Sequence, residues 1–139
     1  MDARAIVHAF IDAVEARDLD RVAACFSATA TYQNVPYPPT HGPAGVRALL
    51  TPIITRSERV QWEVISEAYA PNRGHVERVD RFWIEGVEYA VPCHAVVEVD
   101  ETSGLISEFR DYVDLGRWRA TLGDVLSDAG HSDADHTAT

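Results

Sequence analysis

Helices packed on one face of a curved sheet, an α+β arrangement, are what this sequence predicts, and three observations predict it. Near the N-terminus apolar residues recur at helical spacing. From Arg59 onward they alternate instead with a period of two over long stretches, and those stretches are parted by short turn signals. Helices first and strands afterwards segregate the two kinds of element, which separates α+β from alternating α/β organisation.

Each element has a local reason. Ala3, Ile6, Val7, Phe10, Ala13 and Val14 share one helical stripe, so an amphipathic first helix runs to about Ala16. Asp18 or Asp20 caps a short second helix. In "TATYQNVPYPPTHGP", residues 29–35 can be extended before the prolines forbid regular pairing. Pro43 suits the first turn of a helix running through Leu50. Strands follow at about 60–69, 75–85, 87–99 and 105–114, parted by "APNRG", Gly86 and "DETSG", which is an antiparallel meander. A last short helix covers 115–126, and the small, polar stretch 127–139 reads as a frayed tail. With no internal repeat and no linker, residues 1–126 are expected to form one domain.

Composition narrows the function. A chain of 139 residues can bury a sizeable core without disulfides or a structural metal. A formal charge of -10 argues against nucleic acid or an anionic membrane surface as partner, since a phosphate field would repel it. No apolar run approaches the ~20 residues of a membrane span. Cys25 and Cys93 lack metal-type spacing, and the N-terminus lacks a basic segment followed by an apolar signal core, so a reduced, cytoplasmic protein is expected. All 12 basic residues are Arg, which excludes Schiff-base chemistry and a P-loop, both of which need an amine.

One residue conflicts with its surroundings. In "LISEFRDYVDL", Leu105, Ser107, Phe109, Asp111, Val113 and Leu115 share the face that looks like core, and Asp111 sits in its middle. Desolvating a carboxylate costs several kcal/mol unless something compensates it. "HVERVDRFWI" supplies a candidate: Val76, Arg78, Asp80, Phe82 and Ile84 share a face, so a cation and a second carboxylate stand two residues apart among apolar groups. Structural ion pairs and solvated strand faces are the commoner account of an Arg-x-Asp spacing. Two carboxylates around one Arg can nevertheless leave an acid and a base side by side, because the Arg offsets one charge while repulsion and desolvation retain a proton on the pair. In "YQNVP", Tyr32 and Asn34 fall on one side of a short strand and both could hold a water, although taken alone turn chemistry for Asn34 and rim packing for Tyr32 are the better account. His75, Glu77 and His94 could be written as a metal set, but scattered strand histidines are more often surface or core groups, and no metal is expected. Cys25 reads as helix packing, and Trp62, Trp83 and Trp118 as core or pocket wall.

Taken together, Tyr32-x-Asn34, Arg78-x-Asp80 and Asp111 within "FRDYVDL" resemble the limonene-1,2-epoxide hydrolase family in residue type, order and separation. The resemblance extends through "ARDLDRVAACFS", "TYQNVPYPPTHGPAGVRALL", "ERVDRFWI" and "VPCHAVVEV", with Phe109 standing where the family pattern has Trp. It implies a cone-shaped α+β fold of the nuclear-transport-factor-2-like (SnoaL-like) type, with a mixed, mainly antiparallel sheet and N-terminal helices on its concave face. It also implies a deep apolar pocket, no cofactor, and a homodimer. Carried over by position, Asp80 is the general acid, Asp111 the general base, Arg78 the bridge between them, and Tyr32 and Asn34 the pair that positions water. The substrate so implied is a small lipophilic epoxide, cyclic terpene-like or similar, opened to a vicinal diol, with Val35, Leu49, Ile53, Trp62, Phe82, Ile84, Cys93 and Trp118 expected around it. Three alternatives stay open: an epoxide-opening cyclase of polyether biosynthesis, a ketosteroid-isomerase-like or polyketide-cyclase-like enzyme, and a non-catalytic binding domain of the same fold.

Overall fold

The computed structural model describes residues 2–126, so the expected tail at 127–139 lies outside the described residues. In chain order the elements are α1 (Ala3–Glu15), α2 (Leu19–Ala24), β1 (Phe26–Val35), β2 (Thr40–His41), α3 (Gly42–Arg56), β3 (Arg59–Ala70), β4 (Arg73–Ile84), β5 (Val87–Asp100), β6 (Leu105–Val113) and α4 (Leu115–Trp118). A π-helical turn, Arg119–Gly123, continues α4. The strands form one curved, unclosed sheet in the order β2-β1-β6-β5-β4-β3. β1 and β6 run parallel and every other neighbouring pair is antiparallel, so the fold is the expected α+β with a mixed, mainly antiparallel sheet.

Local chemistry sets the helix ends. Asp2 accepts from the Ala5 N–H at 2.8 Å to cap α1, and Asp18, rather than Asp20, caps α2 by accepting from the Arg21 N–H at 3.1 Å. Helix α3 runs past Leu50 and through Pro52 to Arg56, farther than the proline led one to expect. An interior proline costs about 3 kcal/mol. Burial of Ile53 and Ile54 offsets this, at roughly 1.5–3 kcal/mol for each fully buried side chain. The proline-rich stretch also forms a strand the sequence did not reveal: β2 is two residues long and pairs Thr31 with His41 and Tyr32 with Thr40.

The four-strand meander falls within two residues of expectation at each end, and its turns explain themselves. Glu85 and Gly86, both at positive φ, join β4 to β5 where Ile84 pairs with Val87, the two-residue hairpin whose twist matches the flanking strands. On β6 the strict alternation fails. A bulge sets Glu108 opposite Glu98 but Ile106 opposite Val99, so Ser107 is the extra residue. Ile106 therefore faces the core, while Leu105 and Ser107, expected there, are only half-buried. Beyond the bulge the expected face returns, with Phe109 and Asp111 buried.

Helix α1 closes the core against the inner face of the sheet. The Phe10 ring meets Phe109 at 5.2 Å, Phe26 at 5.3 Å and Trp62 at 5.8 Å between centroids, edge to face in each case. Glu15, at the end of α1, accepts a hydrogen bond from the Trp62 N–H at 2.9 Å and ties the helix to β3. Among the described residues no helix is long and apolar enough to cross a membrane.

Candidate active site

Alternation along β4 puts Arg78 and Asp80 on the buried face, two residues apart, and the short separation lets the side chains meet. Arg78 Nε and Nη2 donate to Asp80 Oδ1 and Oδ2, both at 2.9 Å, in a fork-to-fork pair. Asp111 lies on β6, with β5 intervening, at about twice the ~4.8 Å strand spacing. Arg78 crosses that gap because the β5 residues on this face are small: Cys93 stands opposite Arg78, and Ala95 opposite Asp111. Its Nη2 donates to Asp111 Oδ2 at 2.9 Å and to Cys93 Sγ at 3.0 Å. Nη2 carries two protons and faces three acceptors, so at least one bond is shared. The Trp62 ring covers the guanidinium, 4.5 Å from its centre.

β1 completes the group through its parallel pairing with β6. Asn34 lies opposite Asp111, and Tyr32 opposite Phe109, on whose ring it stacks at 4.6 Å with an 8° tilt. Phe109 thus fixes the orientation of the Tyr32 ring. Asn34 is half-buried, whereas Tyr32, Arg78, Asp80 and Asp111 are all buried.

The two carboxylates are not equivalent. Asp80 receives two bonds from Arg78, Asp111 only one. Among the described residues, Asp111 Oδ1 and Trp62 Nε1 are the side-chain polar atoms buried without a hydrogen-bond partner. Burial raises the proton affinity of Asp111 above that of an ordinary Asp; the Arg78 charge opposes this and the neighbouring Asp80 adds to it. Burial alone would loosen the Arg78 proton, but Asp111 and Asp80 together hold it more tightly than usual. Burial also pushes the Tyr32 phenol and the Cys93 thiol well up, so both stay protonated at neutral pH and Cys93 is no thiolate nucleophile.

Two hollows open on this cluster. The larger, about 590 Å³, reaches under α3 and takes Leu49, Ile53, Trp62, Phe82 and Trp118 from the expected set. The smaller, about 380 Å³, has Cys93 and again Trp118 in its wall. Val35 and Ile84 belong to neither. With Asn34 turned inward, alternation points Val35 to the other face of β1. Ile84 is on the correct face but four residues past Asp80, about 13 Å along the strand, and it lines a separate hollow with Arg56 and Glu85. Sequence reasoning missed Tyr37, Leu50, Pro52, Val91, Val113, Leu115 and Leu126. The signal for two of them was present, since Val91 and Val113 lie two residues from Cys93 and Asp111 on the same strand faces.

His75, Glu77 and His94 are exposed on the outer face of the sheet, with the two imidazoles 5.9 Å apart. Among the described residues the group of metal-type donors is instead Asp80, Cys93 and Asp111, whose ligand atoms lie within 4.8 Å of one another. Arg78 bonds to all three and supplies the positive charge a cation would bring, so the donor set does not suit a metal.

Residues 1–120 match the limonene-1,2-epoxide hydrolase catalytic domain. The chain belongs to this family. A solved limonene-1,2-epoxide hydrolase-like epoxide hydrolase from Mycobacterium tuberculosis is 25% identical, with 89% of this chain and 92% of that one aligned at a TM-score of 0.67. SalBIII, an epoxide hydrolase/cyclase-like enzyme with a role in pyran ring formation in the polyether salinomycin, is 16% identical over 82% of this chain and 92% of its own, at a TM-score of 0.72. A SnoaL-like polyketide cyclase structure from Shewanella denitrificans is 11% identical over 87% and 96%, at 0.76. The last two share the fold alone, which is the nuclear-transport-factor-2-like, SnoaL-like one.

Proposed function

We propose that this member of the limonene-1,2-epoxide hydrolase family adds water to a lipophilic epoxide in one step, giving a vicinal diol. The observation that carries the reading is Arg78 bridging two buried carboxylates, with the second oxygen of Asp111 left without a protein partner in an apolar-walled site.

Water opens an epoxide slowly near neutral pH because it is a poor nucleophile and the departing oxygen gathers negative charge. Both defects must be corrected together. Asp111, ionised, accepts a proton from a water held by Tyr32 and Asn34 as that water attacks a ring carbon; its raised proton affinity makes it a stronger base than an ordinary carboxylate. In the reactive arrangement the one proton shared by the pair sits on Asp80, which donates it to the ring oxygen as the carbon–oxygen bond breaks. The water proton ends on Asp111, the Asp80 proton ends on the diol, and exchange with solvent resets the pair. Arg78 keeps both carboxylates in place and stabilises whichever is ionised. A cyclase would use the same pair but let a substrate hydroxyl attack, with no role for the held water.

The route of the oxygen tests this. In a single turnover with excess enzyme in oxygen-18 water, the diol is expected to carry the label and the protein none. An ester route through Asp111 gives unlabelled first-turnover diol and a labelled carboxylate, and a cyclase gives an unlabelled cyclic ether. Either result would remove the roles assigned to Tyr32 and Asn34.

A further inference from the structure

The two hollows meet at the reacting groups: Asn34, Asp80, Asp111 and Trp118 line both. Away from those four residues their walls differ: Tyr32 of β1 and Trp62 of β3 belong to the larger only, and Val91 and Cys93 of β5 to the smaller only. Asp80 pairs with Trp62 on β3 and with Val91 on β5; Trp62 belongs to the larger hollow and Val91 to the smaller. The larger extends from β3 under α3, and the smaller runs over β5 and the end of β6 to Val113, Leu115 and Tyr37. Apart from Asp80 and Asp111 no charged residue lines either one, among the described residues. The phenol of Tyr37, which forms part of the smaller wall, is held by a 2.8 Å hydrogen bond from Arg119.

An epoxide whose oxygen faces Asp80 while one carbon faces a water between Asn34 and Asp111 has both hollows open to its substituents. We propose that the substrate is an internal epoxide with an apolar arm on each ring carbon, the longer seated under α3 and the shorter between β5, β6 and Tyr37. This rests on the hydrolase reading above and adds the class of substrate to it. A terminal epoxide leaves one hollow without an apolar occupant, and so forgoes the apolar burial that hollow offers. A compact ring ties its two substituents into one body and cannot extend into both.

Isomeric straight-chain epoxides of one carbon count test this, with the ring placed terminally, off-centre or centrally. Each methylene moved from water into an apolar wall gains roughly fourfold. The off-centre isomer is therefore expected to exceed the terminal one in kcat/KM by at least about tenfold. Val91→Phe, or Leu115→Trp at a half-buried position that a larger side chain disturbs less, should lower that ratio at least about fivefold by filling the shorter arm's place. Dissociation constants for the corresponding diols, read from tryptophan fluorescence, follow the two-arm preference without requiring turnover. If no epoxide is hydrolysed but the off-centre diol binds tightest, the catalytic reading falls and the two-arm site stands. If terminal epoxides are hydrolysed as fast as internal ones, or both variants leave the ratio unchanged, the two-arm site is wrong and the hydrolase reading survives.

Discussion

Arg78 and Arg81 stand three residues apart on β4 and do the same thing on opposite faces of the sheet: each bridges two carboxylates. Arg81 donates to Glu63 at 3.0 Å and to Glu88 at 2.8 Å, with all three side chains in contact with solvent. Arg78 holds Asp80 and Asp111 at 2.9 Å, with about 1% of its side chain exposed. The charge pattern and the distances are nearly identical. What differs is the medium: water and salt screen the outer triad, so little depends on it, whereas the inner one is largely withdrawn from both, and removing one partner of such a buried set costs about 3–5 kcal/mol. An Arg between two carboxylates is therefore not in itself a site; its burial, the apolar walls and the lone oxygen of Asp111 are what single out the inner one as the candidate.

The largest contrast should come from the carboxylates. Asp80→Asn and Asp111→Asn are each expected to lower kcat by about 10²–10⁴-fold, the usual worth of a general acid or base. Because both act in one step, the double variant should be scarcely worse than either single one. Glu63→Gln and Glu88→Gln, the matching changes outside, should leave turnover unaltered. Either inner variant keeping more than about a tenth of wild-type kcat would refute the acid and base assignment. Next in size is Arg78→Lys, in which an ammonium replaces a planar fork that must reach two carboxylates at once; kcat is expected to fall at least about 10²-fold, against less than about twofold for Arg81→Lys. Equal kinetic losses in the two lysine variants would erase the distinction between the faces.

The smallest effect is the pH dependence of stability, and here the two inner carboxylates part company. The folded protein holds the Asp111 proton more tightly than the ordinary Asp value of about 3.9 that applies in the unfolded chain. Its stabilising contribution is therefore full below that value and is lost as pH rises through the higher folded one. Asp111→Asn removes this decline and leaves Arg78 balanced by the bidentate Asp80, so thermal melts from about pH 4 to pH 8 should show a flatter profile than wild type. Asp80→Asn breaks the two-bond partner instead and should melt lower than Asp111→Asn at neutral pH. The acid limb of kcat should lie above the usual Asp range for the same reason, since the base must lose its proton to work.

The difference between the two faces was partly legible in the residues alone. Alternation is a local property, so "HVERVDRFWI" placed Arg78 and Asp80 on one face and Arg81 on the other, and the meander order placed β6 within reach. The Ser107 bulge was not legible, because a bulge is settled by the partner strand, and it turned Ile106 inward where Leu105 had been expected. Val35 and Ile84 were misplaced for related reasons: one needed the phase of β1, the other the distance along β4. That Cys93 and Ala95 clear a path for Arg78 emerges only once β5 is seen to lie between the two carboxylates. The extension of α3 beyond Pro52 depended on burial that no local signal announces.

The parallel pairing of β1 with β6 has a consequence in time. β3 to β6 are joined by short turns, so the loops that bring Arg78, Asp80 and Asp111 together close early and at small entropic cost. Asn34 and Tyr32 arrive from the other end of the chain, through the sheet contact of longest sequence separation, and such contacts are the slow ones to form. During refolding the acid, the bridge and the base should therefore be in place before the residues that aim the water. Stopped-flow emission from Trp62, which reports on the guanidinium beneath it, is expected to settle ahead of the return of catalytic turnover.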